Sequence, residues 1–64
     1  MKLENILALL KADERITLSC IDVDGTVYTW SFFANNVPLG FWSRDVEKLH
    51  SGSSKEGLCI QINN

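Results

Sequence analysis

A single histidine, His50, occurs in this chain, and that scarcity removes most catalysis built on an imidazole base. A Cys-His or Ser-His pair would have to use it, and no third group is evident to orient the ring. Cysteine is nearly as scarce, because Cys20 and Cys59 are too few for a disulfide-stapled secreted scaffold. Zinc needs three or four ligands, and Cys20, Cys59 and His50 show no ligand spacing. The four glycines are scattered, so no phosphate-cradling loop is present. Six basic residues stand against eight acidic ones and are dispersed along the chain, which leaves a net charge of −2 and no stripe for a nucleic-acid backbone. A long apolar run is missing too. Glu4, Asn5 and Lys11 interrupt the N-terminal stretch, which argues against a signal peptide or membrane span and for a cytoplasmic protein, where free thiols persist. The expectation is therefore no catalytic residue, no metal ligand, no cofactor, no nucleic acid and no membrane.

What the chain does contain is centred on Ile16 to Phe33, where two runs of β-branched and aromatic residues flank Asp24-Gly25, a strong signal for a hairpin. A two-residue loop would leave neither face apolar. A three-residue loop, Val23-Asp24-Gly25, with Gly25 left-handed, instead gathers Ile16, Leu18, Cys20, Tyr28, Trp30 and Phe32 on one face. That face is a core, and the opposite one carries Thr17, Ser19, Thr29 and Ser31 with Ile21, Val27 and Phe33 among them.

The remaining elements are read around this hairpin. Lys2 to Ala12 has Leu3, Ile6, Leu7 and Leu10 at the spacing of one helical stripe, widened by Ala8 and Leu9, and its natural cover is the Leu18, Trp30, Phe32 face. Asn35 to Gly40 breaks the pairing as a loop. Trp42 to His50 reads two ways. Trp42, Val46 and Leu49 at helical spacing, with Ser43 as N-cap, favour a short helix; Val46 to His50 followed by a polar connection favours a strand. Leu58 to Ile62 alternates as a strand, which turns Cys59 away from the Leu-Ile-Ile face and therefore away from Cys20. The expected architecture is one α+β domain over residues 1–64. One N-terminal helix packs on an antiparallel sheet of three to four strands, ordered α-β-β-β-β or α-β-β-α-β.

Two resemblances follow from these residues. Ile21-Asp22-Val23-Asp24-Gly25-Thr26 resembles the first motif of the haloacid-dehalogenase-type phosphatases, in which the position of Asp22 holds the nucleophile and that of Asp24 the general acid and base. That motif ends the central strand of a parallel sheet with helices on both faces, and 64 residues leave no room for such a domain, so the match is read as coincidental. The whole layout is also similar to small proteins of bacteriophages and mobile elements of Gram-positive bacteria. These share a Leu-rich N-terminal helix, a strand, an acidic-Gly turn, a second strand, a V-x-x-[IL] segment, here Val46 to Leu49, and a terminal L-x-I-x-I, here Leu58 to Ile62. The resemblance implies viral origin and action by binding and blocking host machinery, and it favours a strand over Val46 to His50.

A domain of this size buries only about 60% of its unfolded surface, so support from self-association is expected. The leading functional expectation is a non-catalytic interaction module whose protein partner is a host protein or a second copy, as a homo-oligomer. Its contacts would come from the sheet face opposite the helix, Ile21, Phe33 and Cys59, and from the apolar loop residues Leu39, Phe41 and Trp42. The alternative is an oligomer that sequesters a small anionic, nucleotide-like ligand, with Trp42 stacking on a planar ring and Arg44 and Lys48 meeting the anion.

Overall fold

The computed structural model describes residues 1–63. It contains a helix α1 (Leu3–Leu7) and strands β1 (Arg15–Ile21), β2 (Val27–Phe33), β3 (Val46–Ser51) and β4 (Leu58–Ile62), with two single-turn 3₁₀ segments between β2 and β3. The strands form one sheet in the order β2-β1-β4-β3. β1–β2 and β3–β4 are antiparallel hairpins, and the two are joined by a parallel pairing of β1 with β4.

The first hairpin has the register that places the apolar residues together. Ile21 pairs with Val27, Leu18 with Trp30 and Ile16 with Phe32. The Asp22 N–H donates to the Thr26 carbonyl at 2.8 Å and the Gly25 N–H to the Asp22 carbonyl at 2.9 Å, which closes a three-residue loop. Gly25 takes φ +88°, the conformation that an L side chain resists.

Pairing of β1 with β4 corrects the expectation of a purely antiparallel sheet. Alternation of apolar and polar residues tells which face a side chain takes but not which strand lies beside it. With Leu18 beside Ile60 and Ile16 beside Leu58, two strands from opposite ends of the chain fill the centre of the sheet with their apolar sides in register. Segment 46–51 is the strand of the two readings, not the helix: in a hairpin with β4 its inward backbone groups are paired, and Val46 and Leu49 lie beside Ile62 and Ile60.

Helix α1 is five residues long, shorter than the Lys2 to Ala12 stripe predicts. After Leu7 the bonds tighten, with the Leu9 N–H on the Ile6 carbonyl and the Leu10 N–H on the Leu7 carbonyl. So short a helix survives by packing, and the sheet offers cover only to Leu3 and Ile6, which are buried, and to Leu7 and Leu10 beside them, while Leu9 stays 84% exposed. No side chain caps its start. The first N–H groups donate instead to backbone carbonyls of the chain leading into β3, Leu3 to Arg44 and Glu4 to Trp42.

The core lies on one side of the sheet. Leu3, Ile6, Ile16, Leu18, Cys20, Val37, Ile60 and Ile62 are buried together. Residues 34–45, crossing from β2 at one edge to β3 at the other, share that side with α1: Val37 is buried, and the Phe41 ring packs 5.0 Å from Trp30 and 5.9 Å from Phe32, centroid to centroid. Phe41 thus helps to close the core, against which it is partly buried.

Candidate interaction face

On the face turned away from α1, alternation along each strand builds four rows across the sheet. The first holds Phe33 beside Arg15, the second Ser31, Thr17, Cys59 and His50, the third Thr29, Ser19, Gln61 and Lys48, and the last Val27 beside Ile21. The expected contact residues Ile21, Phe33 and Cys59 all lie on this face. They do not form one apolar patch, because Ile21 and Phe33 stand at opposite ends with two rows of hydroxyl-bearing residues between them. Both are exposed, at 46% and 42%, and so is Val27. The Arg15 guanidinium sits 4.8 Å from the Phe33 ring centroid and shields one side of it.

One end of the face is bounded by the turn that leads into β4. Ser53 and Glu56 cap each other, with the Glu56 N–H on the Ser53 hydroxyl at 3.3 Å and the Ser53 N–H on the Glu56 carboxylate at 3.4 Å. The Thr17 hydroxyl donates to the Glu56 carbonyl at 2.9 Å and ties the turn down onto β1. Gly57 leaves the turn at φ +67°, and a Cβ there would lie 1.9 Å from the Arg15 carbonyl oxygen, so β4 reaches β1 only through a residue without a side chain.

The two cysteines lie on opposite faces, Cys20 buried and Cys59 half-buried, and they are not joined by a disulfide. Cys59 does have a chemical neighbour that no spacing in the sequence shows, since His50 is its cross-strand partner. That neighbour was hidden because the assignment of β3 was open and a register shift between Val46 and Lys48 decides which of its side chains share a face. Among the described residues no three metal-binding side chains come together.

At the hairpin turn the two aspartates serve the backbone. Asp22 accepts the Val23 N–H at 2.8 Å, and Asp24 accepts the Thr26 N–H at 2.9 Å. The Thr26 N–H, and then its hydroxyl, hold the Asp24 carboxyl below its ordinary value of 3.8. A depressed pKa is the wrong direction for a general acid at neutral pH. β1 is a central strand parallel to β4, yet among the described residues the sheet has a helix on one face only.

The proposed anion-binding residues are spread apart. Trp42 is 37% exposed and donates its indole N–H to the Val37 carbonyl at 2.9 Å. Arg44 donates to the Asn63 carbonyl at 3.1 Å. Lys48 belongs to the outer face of β3, beside Gln61. A shallow depression of about 490 Å³ lies elsewhere, between the end of α1 and the 52–57 turn, with Leu10 and Leu58 in its lining and Glu14 and Arg15 at its charged side. Leu39, at 74% exposed, projects from the crossing segment. No helix is long and apolar enough to cross a membrane among the described residues. Against protein-family models, curated proteins and solved structures, the chain finds no match.

Proposed function

We propose that this protein is a non-catalytic interaction module that works by binding another protein chain through the uncovered side of its sheet. One observation carries the reading: α1 and residues 34–45 cover one face, while the other, bounded at one end by the 52–57 turn, keeps Ile21, Val27 and Phe33 exposed at its two ends with Thr and Ser side chains between them. Hydroxyl groups flanked at either end by exposed apolar residues suit a protein surface, which supplies both hydrogen bonds and apolar contact, better than they suit a reaction. The layout shared with small phage and mobile-element proteins extends the proposal to a host protein that is bound and blocked, in the cytoplasm.

Sequestration of an anion draws less support. Arg44 already serves the Asn63 carbonyl, and Lys48 lies away from Trp42 on the outer face. The test is affinity capture from bacterial lysate with the native chain and with an Ile21→Lys/Phe33→Lys variant. Both substituted positions are exposed, so folding should survive and circular dichroism will check it. Proteins retained by the native chain and lost with the variant support the face as the binding surface; identical retention by both overturns it.

A further inference from the structure

Strands at the two edges of the sheet are built differently. β3 carries Glu47, Lys48 and His50 and a register shift after Val46, the devices that keep an edge from recruiting another strand. β2, Val-Tyr-Thr-Trp-Ser-Phe-Phe, has no charge, no proline and no bulge over seven residues. Its pairing with β1 is bounded by hydrogen bonds at residues 22/26 and 14/34, so by alternation Tyr28, Trp30 and Phe32 bond to β1. The N–H and C=O groups of Val27, Thr29, Ser31 and Phe33 therefore point off the sheet, where no described residue bonds to them. Aromatic surface accumulates at the same edge, since Tyr28, on the core face, is still 46% exposed and stacks 6.3 Å from Trp30.

We propose that β2 pairs edge to edge with β2 of a second copy, antiparallel about a two-fold axis at Trp30, to give a continuous eight-stranded sheet. This goes beyond the interaction reading, since the contact is the outer edge of β2 and not the uncovered face of the sheet. The strand fits itself. With Trp30 opposite Trp30 of the other copy, Thr29 faces Ser31 and Val27 faces Phe33, so every outward N–H meets an outward C=O. On the core face Tyr28 falls opposite Phe32 and the two Trp30 rings adjoin, pairs that stabilise antiparallel strands. No charge on β2 meets its own kind across the axis, as it would if β3 paired with itself through Glu47 and Lys48. An isolated strand edge covers less area than a standard interface, so the dimer is a weak one that dissociates on dilution.

Sedimentation equilibrium from micromolar concentrations to about 1 mM tests this. Three chains are compared: the native one, Thr29→Lys/Ser31→Lys and Thr29→Glu/Ser31→Glu. These side chains lie on the exposed outer face, so the fold is retained, but the pairing places like charges opposite each other twice. The native chain should dimerise, each variant should dimerise at least about tenfold more weakly, and an equimolar mixture of the two should recover the dimer. A native chain that stays monomeric overturns the proposal, as does a doubly charged variant that dimerises like the native chain. Either result leaves the lysate comparison with Ile21→Lys/Phe33→Lys standing, so loss of self-pairing and loss of the interaction reading are separate outcomes.

Discussion

Gly25 and Gly57 both adopt positive φ, yet they answer to different constraints. Around Gly25 there is open space, so alanine there meets only backbone strain, about 1–2 kcal/mol. At Gly57 the methyl would also run into the Arg15 carbonyl and part β4 from β1, so Gly57→Ala should cost more than Gly25→Ala by at least about 2 kcal/mol, read as a difference in urea midpoints. The role of Gly25 was legible in the sequence because its cause is local, an Asp-Gly turn that needs a left-handed residue. That of Gly57 was not, because the obstacle is a carbonyl contributed from across the sheet. Asp24 offers a second measurement. Its carboxyl is held below 3.8 by Thr26, so its contribution is complete above that value and is lost as pH falls through the lower, folded value. Native protein should therefore exceed Asp24→Asn in stability at neutral pH, with the gap closing toward zero in strong acid, as followed by denaturation at a series of pH values.

Among the elements, the strands were easier to read than the helix. Period-two alternation over Ile16 to Phe33 leaves one register that gathers the core residues, and the structure has it. Over Leu3 to Leu10 the apolar residues are denser than any single stripe requires, so the pattern does not say where the helix stops. The supply of sheet surface decides that. Ile6, 5% exposed, and Leu9, three residues on, separate the two lengths: Ile6→Ala should cost about 2–4 kcal/mol, whereas Leu9→Ala should fall within about 0.5 kcal/mol of the native chain. If the helix ran on through Ala12 with Leu9 seated in its stripe, both would be costly, and thermal denaturation distinguishes the cases. The same limit applies to Val46 to Ser51, whose helix-like spacing yields to a hairpin partner.

For the whole molecule, the α+β class and the side of the sheet that forms the core were legible, since both follow from which residues are apolar and at what period. The candidate face was legible only as a list of side chains. Its layout, with Ile21 and Phe33 at opposite ends, hydroxyls between them and His50 beside Cys59, depends on strand order and on the shift in β3, neither of which leaves a periodic trace in the sequence.

The parallel joint between β1 and β4 has a bearing on time as well as shape. Each hairpin closes through residues near in sequence, but Ile16 and Leu58 must meet across roughly forty intervening residues, and that loop closure is the slow part of assembly. Until β4 arrives, β1 is a bare edge whose apolar side has lost half its neighbours. During synthesis the first hairpin leaves the ribosome before its central companion does, and in a crowded polysome the nearest β4 can belong to another chain. Exchange of β4 between copies is thus the misassembly this topology invites.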